Sequence, residues 1–333
     1  MHRAFIILAR VATLLALTVV VLGAWVRATD AGLGCPDWPG CYGHLTVTQA
    51  EQAAAEVSKA YPDRPLVAHK AWKEMIHRYF ASTLGLLIVI IAVLAWRRRA
   101  MTGTQWKLPL FLVLLVIFQG LLGMWTVTLL LKPVIVMLHL LGGMTTLSLL
   151  WWLYMRESHF AESGVSGPSG SLQGVALLGL IIVACQIALG GWTSANYAAL
   201  ACPDFPTCQT HWWPPTDFTQ AFTLWRGTGV DYEGGVLENT ARVTIHLMHR
   251  IGAVVTFLFI GWLSIKALRD RYSSSVRMTG LAMLVILLTQ VSLGISNVVL
   301  ALPLPVAVAH NGVAALLLLS LVTLNHVARP RGS

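Results

Sequence analysis

Leu33-Gly34-Cys35-Pro36-Asp37-Trp38-Pro39-Gly40-Cys41 and Leu200-Ala201-Cys202-Pro203-Asp204-Phe205-Pro206-Thr207-Cys208 are one pattern written twice, 167 positions apart. Each follows a small-residue and tryptophan signature, Gly23-Ala24-Trp25 in one case and Gly190-Gly191-Trp192 in the other, at the same offset. Further along, His77-Arg78 returns as His249-Arg250 at offset 172. Gln119-Gly120-Leu121-Leu122-Gly123 returns as Gln290-Val291-Ser292-Leu293-Gly294, and His139 as His310, both at offset 171. Four landmarks in one order at nearly one offset make the chain two copies of a single unit.

Between the landmarks lie apolar runs of about 20 residues, the length that crosses a hydrocarbon core about 30 Å thick. Eight are present: 4–26, 74–96, 108–130, 134–155, 172–195, 243–265, 278–301 and 303–326. Hydrophobic residues make up 56% of the 333 and charged residues 11%, against about 25% charged in a soluble domain. This composition excludes a solvated globular enzyme and a disordered chain. The first run is too long for a signal peptide and lacks a clear small-residue cleavage site. The predicted fold is therefore all-α: eight transmembrane helices in two four-helix bundles, 1–155 and 172–333, joined by a Ser/Gly-rich linker at 156–171. Four spans per half give both halves one orientation, so a pseudo-two-fold axis would run along the membrane normal.

The net charge of +9 follows membrane topology rather than nucleic acid. With the N-terminus inside, the inner segments carry Arg3, Arg97, Arg98, Arg99, Lys107, Arg156, Lys266, Arg269, Arg271, Arg277, Arg329 and Arg331, against Glu157, Glu162 and Asp270. The longer outer segments are richer in acids than in bases. Both termini are expected in the cytoplasm, with two long outer loops at 27–73 and 196–242. Trp96, Trp106, Trp151, Trp152, Tyr154 and Trp262 read as interface anchors.

An ionisable side chain inside a span is costly and points to function. His139 lies six residues past Pro133 and His310 seven past Pro303, about 9–10 Å into their helices. His77 and His249 lie near the outer starts of their spans. Each half thus offers two histidines at one depth on its second and fourth spans, an arrangement that suits the two axial positions of a haem iron. The competing reading is a set of hydrogen-bonded structural histidines; duplication in matched pairs weighs against it. Zinc usually needs three or four ligands, and each half has two. Arg78 and Arg250 are candidate partners for haem propionates or, alternatively, headgroup-snorkelling side chains.

The halves differ at one point. Glu74 shares a helix face with His77, three residues on, whereas His246 holds that place before His249. A carboxylate at a haem edge can take a proton or orient a water. It can equally be a first-turn acid paired with Lys70 or Lys73. Spacing and outer placement predict disulfides Cys35–Cys41 and Cys202–Cys208, each pinning its loop over its own half, either as structural staples or as redox-active pairs. Cys185 reads as a small apolar filler.

Together, the two four-span halves, Glu74-Met75-Ile76-His77-Arg78, His139, His249-Arg250, His310 and the outer cysteine loops resemble the haem A synthase family over nearly the whole chain. The resemblance implies oxidation of the C8 methyl of haem O to a formyl group by two successive hydroxylations, with oxygen from water. It implies His77 and His139 as ligands of the substrate haem O, His249 and His310 as ligands of a resident haem b, and Glu74 as catalytic. It also implies a functional role for Cys35 and Cys41. The expected setting is the bacterial inner membrane, with the loops periplasmic, haem O synthase as substrate donor and cytochrome oxidase assembly as product acceptor. The residues themselves leave a second class open, a diheme cytochrome b exchanging electrons with quinone, and a third, a haem transporter. Pure electron transfer does not call for an acid beside one haem only.

Overall fold

The computed structural model describes residues 2–100, 106–158, 160, 170–227 and 229–329. Most of the expected linker, at 159 and 161–169, lies outside them. Eight long helices are apolar enough to cross a membrane: α1 (His2–Ala28), α4 (Ala68–Arg97), α5 (Lys107–Thr128), α6 (Pro133–Glu157), α7 (Gly170–Ala195), α9 (Asn239–Leu268), α10 (Ser274–Val299) and α11 (Leu304–Val327). Three short helices, α2 (Val47–Gln52), α3 (Ala54–Ala60) and α8 (Phe218–Ala221), lie in the two long loops. The spans are continuous helices, the form that satisfies backbone groups internally in hydrocarbon. The eight expected spans are present. α4 and α9 begin six and four residues before their apolar runs, because polar outer turns (Lys70 and Lys73; Asn239 and Arg242) continue the helix past the point where hydrophobicity ends.

In the first half α1 packs on α4, α4 on α5, α5 on α6 and α6 on α1, a closed ring of four; α7, α9, α10 and α11 form the corresponding ring. The halves meet through α1 against α11, α7 against α6, and α6 against α11. Exchanging α1 with α7 and α6 with α11 leaves this set of contacts unchanged, as an isologous interface demands. One apolar core runs through both halves and includes Ile88, Ile91, Leu147, Leu150, Ile260 and Leu321. It lies toward the ends of the spans remote from the long loops. There Trp151 donates to the hydroxyl of Thr323 at 2.8 Å and Trp152 meets His326 edge-on. These two tryptophans join the halves rather than standing only as interface anchors, whereas Trp96 and Trp262 are exposed. Outward faces carry Leu14, Phe111, Leu114, Leu177, Leu258 and Val285 uncovered, the belt that lipid covers. Cys185 is a free thiol on this exposed side, not an interior filler.

The turns before α6 and α11, at the long-loop end, use left-handed backbone at Leu130 and Leu131 (φ 49° and 58°) and at Ala301 and Leu302 (φ 55° and 61°). Such residues cost roughly 1–2 kcal/mol each relative to right-handed backbone. The expectation that each loop stays over its own half holds for the cysteine segments and fails for the rest of the second loop. Tyr232 donates its amide to Leu130 of the first half at 3.1 Å. Asp231 and Glu233 pair with Arg64 at 2.5 and 2.9 Å. Lys132, 2% exposed, lies over the Trp225 ring and donates to the Gly227 carbonyl. A buried cation needs such a partner, and among the described residues the second loop supplies it.

At the far end of the second half α9 and α10 approach closely at Gly280. A Cβ there would stand 2.8 Å from Cβ of Ala267 and 2.9 Å from the Leu268 nitrogen and the Ser264 carbonyl oxygen. Gly280→Val therefore forces two backbones apart and is expected to destabilise the protein by about 1–3 kcal/mol, read as a lowered unfolding midpoint in detergent. An unchanged midpoint would show that the helices part freely.

Candidate functional site

The four histidines occupy matched positions. His139 and His310 are each six residues beyond the first residue of α6 and α11. His77 and His249 sit on α4 and α9, which lie diagonally opposite α6 and α11 in their rings. Neither diagonal pair has Cα atoms within 8 Å of one another among the described residues. Helices in direct packing have axes 8–10 Å apart, so a space separates the histidine-bearing helices in each bundle. All four histidines are half-buried, and each ring lies against a neighbouring helix.

What each ring lies against is a glycine. A Cβ on Gly23 of α1 would stand 3.2 Å from Cε1 of His77, and one on Gly123 of α5 would stand 3.4 Å from that of His139. In the second half Gly190 and Gly294 hold the same relation to His249 and His310, at 3.1 and 3.2 Å. These glycines lie within the sequence landmarks, which do not by themselves show what each glycine faces. The buried Nδ1 atoms of His77, His139 and His310 have no hydrogen-bond partner within the protein. Structural histidines would be hydrogen-bonded. The second half does offer such contacts, Gln186 at 3.1 Å from Nδ1 of His249 and Gln290 at 3.3 Å from Nε2 of His310, so the unpartnered nitrogens weigh against a structural role in the first half. Of the other landmark glycines, Gly142 borders the side chain of Gln119, and Gly191 borders Leu140 across the interface between halves.

Above each pair sits a cysteine loop. Cys35 is bonded to Cys41 and Cys202 to Cys208, with Cα–Cα distances of 4.8 and 4.6 Å. In each loop an aspartate clamps the turn that follows. Asp37 accepts from the amides of Tyr42 and Gly43 at 2.6 and 2.7 Å, and Asp204 from those of Gln209 and Thr210 at 2.5 and 2.9 Å. Short pairings of Cys41 with His44 and of Cys208 with His211 close the loops. The repeat thus extends three residues past the second cysteine, to histidines that the pattern alone did not single out.

Each loop is tied to its helix where the halves differ chemically. Glu74, 5% exposed, accepts the Cys35 amide through Oε2 at 2.9 Å and pairs through Oε1 with Arg78 at 2.5 Å. His246 accepts the Cys202 amide through Nδ1 at 3.3 Å and faces Arg250 through Nε2 at 3.3 Å. Glu74 and His246 are therefore one structural position carrying two chemistries. Glu74 is not a first-turn acid bound to Lys70 or Lys73; it lies in the second turn of α4, and Lys73 is over the ring of Trp25 instead. Arg78 also donates to the carbonyls of Asp37, Pro39 and Gly40, and Arg250 to those of Thr207 and Cys202. Both guanidinium groups hold loops, a role that the sequence reading does not include.

Asp204 lies outside the spans, and its carboxyl is held below the usual range, at about 2, chiefly by the Thr207 hydroxyl and then by the two amides. A depressed carboxyl contributes stability that is present above its unfolded value and lost as pH falls through the folded one. The amides of Gln209 and Thr210 should thus stay protected from hydrogen exchange down to about pH 4 and lose protection toward about pH 2, with Asp204→Asn losing it at neutral pH. Equal protection in the variant would remove the clamp from the loop's stability.

A family model described as COX15-CtaA, cytochrome oxidase assembly protein, matches residues 6–322. A protein of Shewanella oneidensis named heme A synthase is 46% identical, over 96% of this chain and 95% of the relative. Proteins of the same name from Methylobacterium radiotolerans and Halalkalibacterium halodurans are 31% and 26% identical, each over 96% of this chain and over 88% and 96% of the relative.

Proposed function

The chain belongs to the COX15-CtaA family of cytochrome oxidase assembly proteins, and on that premise we propose which of its residues carry out the activity. That activity is the oxidation of haem O to haem A. One observation carries the assignment of sites. Each bundle holds two histidines on diagonal helices, each ring seated on a glycine, and a buried carboxylate stands beside one of the two pairs only. The space between the diagonals fits a planar macrocycle, which His77 with His139, and His249 with His310, would hold through iron.

In this reading His77 and His139 hold the substrate, haem O, and His249 and His310 hold haem b, which supplies one-electron transfer when bound. Oxidation of the C8 methyl to a formyl group takes one water and releases four protons and four electrons, in two hydroxylations. Glu74 has the position to receive protons or to orient the attacking water. It lies one helical turn from His77, and Arg78 and the Cys35 amide balance its charge. The disulfide loop covers the carboxylate and restricts the site to water that it admits. Arg78 and Arg250, at the outer edge of each pair, are the side chains nearest in kind to propionate partners, although loop carbonyls already engage both. The halves stand in a pseudo-two-fold relation about the membrane normal, termini in the cytoplasm and both loops on the periplasmic side of the inner membrane. Haem O arrives from its synthase and haem A passes to oxidase assembly.

Expression beside a haem O synthase, followed by pigment extraction, tests the reading. Haem A should accumulate, whereas haem b alone in both sites would select an electron-transferring cytochrome. Glu74→Gln keeps the acceptor for the Cys35 amide and removes the base. It should retain fold and haem while losing about 100-fold or more of haem A formation, the scale of general acid–base catalysis. His246→Ala should lose far less. Near-normal haem A from Glu74→Gln would reduce Glu74 to a loop tether.

A further inference from the structure

Gln186, on α7, directs its amide at a single residue of another helix. Its Nε2 lies 3.1 Å from Nδ1 of His249 and donates to the His249 carbonyl at 3.0 Å. Its Oε1 is buried without a partner. The room for this amide comes from Gly252, where a Cβ would stand 2.2 Å from Oε1. A polar side chain in a span is expensive, and here the neighbouring helix has given up a side chain to accommodate it. The first half has neither part of this arrangement. At the corresponding offsets of 167 and 172 stand Val19 and Phe80, and Nδ1 of His77 has no hydrogen-bond partner. Gln119 and Gln290 are counterparts in the two halves: Gln290 Nε2 lies 3.3 Å from Nε2 of His310, whereas Gln119 Nε2 has no partner, and neither engages a histidine Nδ1.

We propose that Gln186 is a positioning residue for His249, fixing the plane of its ring and the electron-donating strength of its imidazole. It thereby helps set the reduction potential of the haem in the second half apart from that of the first, beside the exchange of Glu74 for His246. The proposal rests on the reading that His249 is a haem ligand. Partners of the non-ligating nitrogen orient a metal-bound imidazole and tune its basicity, and hydrogen bonding around ligands tunes haem potential. When Nε2 of a neutral histidine binds iron, Nδ1 carries the proton and needs an acceptor. A half-turn of the terminal amide, whose oxygen and nitrogen are close to isosteric, presents Oε1 to it in exchange for the bond that Nε2 makes to the His249 carbonyl. An acceptor at Nδ1 makes the imidazole a stronger donor, favours ferric over ferrous iron and lowers the potential.

Redox titration and electron paramagnetic resonance of the purified, haem-loaded protein test this without reference to turnover. Gln186→Val should raise the haem b midpoint potential and shift the ferric g values, at unchanged haem content. Gly252→Ala, which expels the amide while leaving Gln186 in place, should shift the potential in the same direction. Gln186→Glu, isosteric and acceptor-only, should lower the potential, and it decides the matter if the valine variant does not retain haem. Potentials and g values equal to wild type in Gln186→Glu and Gly252→Ala would overturn the proposal. His249→Ala is the separate control. Loss of haem b there with no effect at Gln186 sinks the proposal alone, and retention of an unaltered haem b spectrum sinks the ligand assignment beneath it.

Discussion

A histidine ring can lie between two helices inside a bundle only where one of them gives up its side chain. Gly23, Gly123, Gly190 and Gly294 meet that condition at four places, and the remaining architecture follows from it. The rings reach inward from diagonal helices, so those helices need not touch. The apolar core is displaced to the other end of the spans, where Leu147, Leu150, Ile260 and Leu321 close both bundles completely. The molecule is thus tightly packed at one end and spaced around its histidines at the other. The rigid end holds the spaced end to a fixed width, which a site with two ligands on separate helices requires.

The cysteine loops apply the same economy at the outer surface. The amide of the first cysteine in each loop meets an acceptor three residues before a site histidine. That acceptor is Glu74 in one half and His246 in the other. The following arginine gathers loop carbonyls in both. One scaffold contact therefore serves two chemistries: a carboxylate can exchange protons with water beside a substrate, whereas the imidazole leaves the second site without an anionic base. Duplication preserved the tether, and its side chain was free to change.

Much of this was legible in the residues. Span number, the paired halves and the disulfides came from periodicity and repetition, because hydrocarbon imposes length and polarity with little tolerance. The histidines stood out because an imidazole in a span is costly. The partners of Glu74 were misjudged: nearby lysines on the same helix are visible in sequence, whereas the Cys35 amide arrives from 39 residues away. The loop-holding role of Arg78 and Arg250 was missed for the same reason. Gln186 escaped notice because its slot is made by Gly252, 66 positions later, and neither residue is conspicuous alone. The left-handed turns at Leu130–Leu131 and Ala301–Leu302 carry no glycine or asparagine to announce them; tertiary packing imposes them against local preference.

The crossing of the second loop onto the first half has a consequence for the history of the chain. Asp231, Glu233, Tyr232 and Trp225 attend to Arg64, Leu130 and Lys132, while the position matching Lys132 in the second half is Pro303, which has no charge to satisfy. An ancestor made of two identical units would have exchanged such roofs equally. Here one copy gives the roof and the other receives it. The two halves are therefore unequal members of a single polypeptide: removing the second would uncover Lys132 and free Arg64, whereas removing the first would strip the second loop of the groups it rests on.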